Sequence, residues 1–149
     1  MDIYTLSNSI LNVEYNRFSK REYESLLKAT ESAVERKRLA QKLVDYLCDK
    51  YNISHVVVQI LDTPQKTFAQ GRGKVMGDYT HSNLYKCIRI WNKTAKTHKV
   101  VSIKGFADTL LHEFIHHYDY EYLKMGDSLH TKGFYMRISD LKNKLSTSD

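Results

Sequence analysis

Two histidines and a glutamate in the second half of the chain have the spacing of a metal site. The segment reads Leu110-Leu111-His112-Glu113-Phe114-Ile115-His116 and contains the pattern H-E-x-x-H. On a helix, residues four positions apart lie on almost the same side, so His112 and His116 can both reach one ion. Glu113 falls beside them, where a carboxylate can take a proton from water at the metal. The pattern therefore predicts a zinc site with a general base.

The apolar residues around this pattern favour a helix whose core side faces away from the two histidines. They follow the helical period through Ala107, Leu111, Phe114, Tyr118, Tyr122 and Met125. We therefore expect the histidines to lie off the core face, which disfavours a buried structural pair. Histidines exposed by chance are the main alternative to a metal site.

A catalytic zinc normally has three protein ligands, so the sequence must supply one more. No Glu follows Glu121, and Tyr122 stands where an H-E-x-x-H-x-x-G-x-x-H site needs its third histidine. Asp119 lies on the histidine side, but it is about 10 Å along the axis from His112, too far for one straight helix to close easily on a single ion. This leaves His130, which follows a predicted helix stop and turn that lets the chain double back.

At this point the sequence resembles the SprT-like (Spartan) metallopeptidases. Their active-site helix reads L-x-H-E-x-x-H, and after a short spacer H-G-x-x-F opens another helix. Here thirteen residues separate His116 from His130, which begins His130-Thr131-Lys132-Gly133-Phe134. The resemblance covers roughly residues 40–145 and includes the strand-like segments 75–79 and 87–90. It departs at Thr131, where the family usually has Gly, and the sequence lacks the four-cysteine zinc ribbon of many members.

The resemblance implies an α+β fold with a zincin-like metallopeptidase core, formed by residues 1–149 as a single domain. N-terminal helices, a short mixed β-sheet, the active-site helix and a C-terminal helix would make up this fold. It further implies Zn²⁺ as cofactor and protein substrates, among them DNA-associated or DNA-crosslinked proteins. An edge strand near the cleft would bind extended substrate. Tyr135, His117 and Tyr118 are candidate donors to the transition-state oxyanion, and the sequence does not choose among them.

Two other interpretations share parts of this pattern. The chain could be a nucleic-acid-binding or regulatory zinc module without protease activity, or an unrelated zincin of phage or mobile-element type. A structural zinc site normally has four protein ligands, whereas we find three with suitable spacing and a Glu in the base position. The pattern therefore favours an enzyme, and it does not separate the two kinds of zincin.

The remaining elements must position this site. Residues 19–51 have a helical pattern that is long for one helix, so we expect a break near Thr30, with Thr30 or Ser32 capping the second helix. Residues 54–61 are rich in β-branched side chains and predict a strand that Pro64 ends. Residues 86–91 predict another strand. Residues 1–18 show no period.

The glycine-containing segment and the C-terminal segment complete this outline. Gly71-Arg72-Gly73 is predicted to connect strands and not to bind phosphate, because no helix follows it. A final amphipathic helix is predicted from Phe134, Ile138, Leu141 and Leu145, with the last four residues frayed.

Composition excludes several classes of protein. With 149 residues, 42% hydrophobic and 27% charged, the chain is expected to be one monomeric globular domain. No apolar run approaches a membrane span and no signal peptide is evident, so we expect no membrane partner. Cys48 and Cys87 are too few for a disulfide scaffold and are predicted to be core residues of a reducing compartment, cytoplasmic or, in a eukaryote, nuclear.

Positive charge is concentrated just before the active-site helix. No acidic residue lies between Asp78 and Asp108, and six basic residues in that window sum to +6, the net charge of the chain. The window is either an ordinary solvated face or a surface that contacts phosphates. The second interpretation predicts weak DNA binding, and its candidate contacts are Lys86, Arg89, Lys93, Lys96 and Lys99.

Overall fold

The computed structural model describes residues 1–67 and 74–146, which have a mixed α+β architecture. Five helices and two small sheets lie within these ranges. The helices are α1 (Ile3–Ser9), α2 (Arg21–Leu27), α3 (Ala33–Tyr51), α4 (Ile103–Glu121) and α5 (Lys132–Ser146). The strands are β1 (Val57–Pro64), β2 (Lys66–Thr67), β3 (Lys74–Val75), β4 (Gly77–His81) and β5 (Lys86–Lys93).

The larger sheet is mixed, as the sequence predicts. Its strand order is β1-β5-β4, with β1 parallel and β4 antiparallel to β5. The central strand β5 buries Ile88 and Ile90 fully, which fits a strand with neighbours on both sides. β2 and β3 form a separate antiparallel pair. Strand β4 is therefore at the edge of the larger sheet, and it packs on α4.

Helix α4 follows the predicted apolar pattern through most of its length. The Ser102 side chain accepts a hydrogen bond from the Gly105 N–H at 3.1 Å and caps its first turn. The helix ends at Glu121, so the last two apolar positions of the predicted series lie beyond it. The side chains buried on its core face are Phe106, Ala107, Leu110, Leu111, Phe114, Ile115 and Tyr118. His112 and His116 are half-buried beside that face.

Two other predicted features are confirmed. The helical pattern before β1 breaks where expected, and the Ser32 hydroxyl caps α3 by accepting a hydrogen bond from the Glu35 N–H at 3.2 Å. The C-terminal helix α5 buries Phe134, Leu141 and Leu145, while Ile138 is half-buried. Both helices pack on the core through their apolar sides, which for α5 is the face that the sequence predicts.

The structure corrects the prediction at the beginning of the chain and in the first strand. A short helix, α1, occupies part of the segment without a period, and the Asp2 side chain caps it. β1 runs from Val57 to Pro64 and not over residues 54–61. The reason is that the Ser54 carbonyl accepts a hydrogen bond from His117, and the Val56 carbonyl accepts one from Gln41.

The remaining predictions concern the Gly71-Arg72-Gly73 segment, the C-terminal residues, the two cysteines and the absence of a membrane span. Gly71-Arg72-Gly73 and residues 147–149 lie outside the described residues, whereas Ser146 still belongs to α5. Cys48 and Cys87 are buried and unpaired, as expected of core residues. No helix in residues 1–67 and 74–146 has the length and apolarity needed to cross a membrane.

Candidate metal centre

The three predicted ligands converge on one point. His112 Nε2 lies 3.3 Å from His130 Nε2, and His116 Nε2 lies 3.0 Å from the same atom. Ligands at the usual zinc–nitrogen distance in a tetrahedral site are about 3.3 Å apart, so the spacing fits such an ion. Among the described residues, this is the group of three or more His, Cys, Asp or Glu side chains that could hold a metal ion.

The turn after α4 returns His130 to the helix that carries the other two histidines. Beyond Glu121 the chain passes through Lys124, whose φ of 58° is left-handed, and the Met125 N–H donates to the Asp119 carbonyl at 3.0 Å. The Thr131 hydroxyl then accepts a hydrogen bond from the Phe134 N–H at 3.0 Å at the beginning of α5. Position 130 is therefore fixed directly before a capped helix.

The aromatic ring of Phe134 contacts the imidazole rings of all three histidines. Its ring centroid lies 5.0 Å from that of His112, 4.5 Å from that of His116 and 5.2 Å from that of His130. The Phe134 side chain is fully buried. One aromatic ring thus limits the rotation of three imidazoles, which helps to fix their orientation before a metal binds.

Burial keeps two of the histidines neutral. Burial, together with the smaller effect of the neighbouring imidazoles, lowers the pKa of His112 to about 4 and that of His116 to about 3. A neutral imidazole has a free lone pair, whereas a protonated one cannot bind a metal. At neutral pH these two side chains are therefore in the form that metal binding requires.

Glu113 lies beside the triad with only 6% of its surface exposed. Its Oε2 atom is 4.0 Å from His112 Nε2. Burial, together with the smaller effect of the negative charge of Asp78, raises the pKa of Glu113 to about 8. A cation held by the histidines would oppose this shift by favouring the carboxylate.

Gly77 allows β4 to lie directly on α4 at this point. A Cβ atom there would lie 2.7 Å from Thr109 Cγ2, 2.9 Å from the Arg89 carbonyl oxygen and 3.4 Å from Glu113 Cγ. Any larger residue would push the edge strand away from the helix. The close approach of β4 to α4 thus explains why a glycine occupies position 77.

The histidines lie where two cavities adjoin. The larger has a volume of about 680 Å³ and the smaller about 370 Å³. Both are lined by Gly77, His112, Glu113 and His130, so a groove extends to either side of the triad. This arrangement suits a chain-like ligand that passes across the site.

Comparison with known proteins identified no relative of this chain. No family model, curated protein or solved structure matches the chain. The interpretation of the site therefore rests on its geometry alone.

The structure separates the three candidate oxyanion donors. His117 is buried between the Ser54 carbonyl, 2.6 Å from its Nε2, and the Tyr79 hydroxyl, 2.7 Å from its Nδ1. The Tyr118 hydroxyl is also in the core, where it accepts a hydrogen bond from the Glu14 N–H at 3.1 Å. Tyr135 is 49% exposed and lines the larger cavity beside two of the histidines. Of the three, it alone faces the groove.

A buried group behind His116 was not anticipated from the sequence. Asp119, considered above as a ligand, is fully buried and forms an ion pair with Arg137 at 2.9 Å. It also accepts a hydrogen bond from the Ser128 hydroxyl at 2.7 Å, and Ser128 Oγ lies 2.7 Å from His116 Nδ1. The sequence did contain an indication of a buried acidic group, because Arg137 lies three residues after Phe134 on the apolar side of α5. A charged residue there requires a buried partner.

The five candidate DNA contacts lie on β5 and on the segment after it. Lys86 and Arg89 are half-buried, and Arg89 forms an ion pair with Asp78 on the neighbouring strand. Lys96 and Lys99 are exposed, and Lys93 is half-buried. The acid-free window is thus partly neutralised by an acidic residue from another strand, and its free charge is concentrated after β5.

Proposed function

We propose that the protein is a zinc-dependent metalloendopeptidase with a zincin-like core that resembles the SprT-like peptidases. The observation that carries the proposal is the convergence of three imidazole Nε2 atoms with a buried glutamate beside them. Three histidines with an open fourth position are the donor set of many catalytic zinc sites. Zinc suits nitrogen ligands at the observed spacing better than magnesium or calcium, which prefer oxygen.

The residues around the triad then have distinct roles. His112, His116 and His130 would hold the metal through their Nε2 atoms. When bound, zinc supplies a Lewis acid that polarises the peptide carbonyl and lowers the pKa of water towards neutrality. A Glu113 carboxylate oxygen accepts the proton as water adds to the carbonyl carbon, and later delivers it to the leaving amine. Tyr135 is the candidate donor to the carbonyl oxygen in the transition state.

The groove supports a polypeptide substrate. Because it extends to both sides of the triad, residues on either side of the cleaved bond can be held, as an endopeptidase requires. The edge strand β4 lines both cavities at Gly77 and can accept an extended segment by strand addition. Recognition through the backbone would make cleavage tolerant of the substrate's side chains.

DNA-associated proteins are the substrate class that the basic residues support. The exposed Lys96 and Lys99 lie in the segment between β5 and α4. Non-specific contacts with phosphates would raise the concentration of DNA-bound substrate near the groove. Arg89 contributes less, because Asp78 already pairs with it.

A zinc module without protease activity is the second candidate, and the donor set argues against it. A structural zinc site is normally closed by four protein ligands. Within the described ranges, the cluster that could hold a metal consists of three histidines. A zincin of phage or mobile-element type has the same chemistry, so it differs from our proposal only in its substrate.

The test of the chemistry is Glu113→Gln. The amide is nearly isosteric but cannot accept a proton, so zinc content should be unchanged while casein cleavage falls by about 10²- to 10⁴-fold. Glu121→Gln is a matched control on the same helix, because Glu121 pairs with His81 away from the groove. If the Glu113→Gln protein cleaves as fast as the parent, the assignment of the general base is wrong.

The test of the substrate class is cleavage of a DNA-bound protein with and without DNA. We expect DNA to accelerate cleavage by the parent, and the Glu113→Gln protein to cleave far more slowly than the parent with and without DNA. Equal cleavage with and without DNA would be compatible with the proposed peptidase activity, but it would contradict the proposal that DNA-associated proteins are the preferred substrates.

A further inference from the structure

We propose that a buried polar network positions His116 and His130 for the metal and makes helix α1 part of the metal centre. This network, called the α1 network below, consists of Ser7, Asp119, Ser128, Thr131 and Arg137. The inference rests on the metal site of the proposed function and not on peptidase activity. Its test therefore measures the metal and the imidazole, and does not depend on a substrate.

The first step is the tautomer of His116. Ser128 Oγ lies 2.7 Å from Asp119 Oδ2 and 2.7 Å from His116 Nδ1. An ionised carboxylate can only accept, so the hydroxyl proton of Ser128 goes to Asp119. The oxygen of Ser128 must then accept a hydrogen bond from the Nδ1–H of His116. This leaves Nε2 unprotonated on the side that faces His130, which is the form that binds a metal.

The second step is the anchoring of Asp119 by Arg137. The guanidinium donates to both carboxylate oxygens, from Nε at 3.1 Å and from Nη2 at 2.9 Å. Its other donors reach α1: Nη2 donates to the Ser7 hydroxyl at 3.1 Å, and Nη1 donates to the carbonyls of Ser7 and Ile10 at 2.7 Å each. Each of its five N–H groups therefore has an acceptor, although the side chain is fully buried. A buried network satisfied in this way holds its members in one geometry.

The third step leads from α1 to His130. Ser7 Oγ lies 2.7 Å from Thr131 Oγ1, and the Asn8 side chain accepts a hydrogen bond from the Gly133 N–H at 3.0 Å. Thr131 directly follows the ligand and caps α5. Thr131 is also the position at which the sequence departs from the SprT-like pattern. Its hydroxyl connects the turn that carries the third histidine to α1, which gives the departure a structural role.

The direct test uses Ser128→Ala and Ser128→Thr. Zinc affinity is measured by competition with a chromophoric chelator, and the ¹⁵N chemical shifts of His116 are measured in the metal-free protein. We expect Ser128→Ala to weaken zinc binding by about 10- to 100-fold and to give a mixture of His116 tautomers. Ser128→Thr keeps a hydroxyl and should restore both. Equal zinc affinity and an unchanged tautomer in the Ser128→Ala protein would overturn the inference.

The remote test uses Ser7→Ala, with Ser9→Ala as its matched control. Both serines lie on α1, but the Ser9 hydroxyl is exposed and donates only to the Leu6 carbonyl. We expect Ser7→Ala to weaken zinc binding several-fold and Ser9→Ala to leave it unchanged. Asn8→Ala, which removes only the acceptor of the Gly133 N–H, should weaken binding in the same direction.

These outcomes separate failure of the inference from failure of the proposed function. A parent protein that binds no zinc would overturn the metal site itself. If the parent binds zinc while Ser7→Ala and Asn8→Ala match Ser9→Ala, α1 is not part of the centre and the inference fails alone. Thermal unfolding of each metal-free variant shows whether a change in zinc affinity exceeds the change in folding stability.

Discussion

Gly133→Ala is a sharp test of the contact between α1 and α5. Position 133 lies in the first turn of α5, where alanine normally gains about 1 kcal/mol over glycine. Here an added Cβ would lie 2.0 Å from the Ser7 carbonyl oxygen and 2.9 Å from Asn8 Cα. Both neighbours are backbone atoms, so no side-chain rotation relieves the overlap. Helix α1 must move away, and the expected effect changes sign from stabilising to destabilising.

The magnitude follows from what α1 loses when it moves. Overpacking in a close-packed interior costs about 1–3 kcal/mol. Displacing Ser7 also removes the acceptor of an Arg137 N–H, and a buried unpaired donor costs about 1–3 kcal/mol. After the gain in helix propensity is subtracted, the net loss is roughly 1–5 kcal/mol, with a central value of about 3. For a domain of this size, that central value lowers Tm by about 6–12 °C.

The measurement is thermal and urea unfolding of the metal-free protein. Gly126→Ala is the control, because a Cβ at Gly126 has no atom within 4 Å. We expect that variant to be unchanged or stabilised by up to about 1 kcal/mol through the unfolded state. A Gly133→Ala protein as stable as the Gly126→Ala protein would show that α1 does not pack on α5 in this way.

Three further predictions concern the site and its surroundings. His130→Ala should reduce zinc content as much as His112→Ala does, as measured by elemental analysis, and full zinc retention would show that His130 is not a ligand. Tyr135→Phe should lower kcat by about 10- to 10³-fold with little change in KM, as expected for an oxyanion donor; an unchanged kcat would exclude that role. The parent should bind short DNA duplexes and single strands with a log-log salt slope of about −3, which becomes shallower, with weaker binding, when alanine replaces three lysines. Identical slopes and affinities for the two proteins would leave an ordinary solvated face at Lys93, Lys96 and Lys99.

The sequence predicted which three histidines would lie together, because most of that signal is local. The i, i+4 spacing of His112 and His116 defines one side of a helix whatever the rest of the chain does. His130 could be reached by elimination, since few candidate ligands follow α4. The close approach of β4 was not predictable from Gly77 alone, because it depends on the sheet order that places β4 on α4.

The support behind the triad escaped prediction because its partners are distant in sequence. Helix α1 has only seven residues and buries only Ser7, so no apolar period marks it. Its contacts with α5 stabilise it, and a helix this short is not stable by itself. Arg137 on the apolar side of α5 indicates that a buried acid exists, but nothing in the sequence identifies Asp119 as that acid.

The sequence span of the α1 network bears on when the proposed metal centre would form during synthesis. Ser7 and Arg137 are 130 residues apart, so helix α1 is synthesised well before helix α5, which supplies its buried partner. Helix α4 and its two histidines emerge before α5, without His130 and without the buried support of His116. On the proposed function, a nascent chain would therefore carry an incomplete site, and the centre would assemble only after α5 has been released.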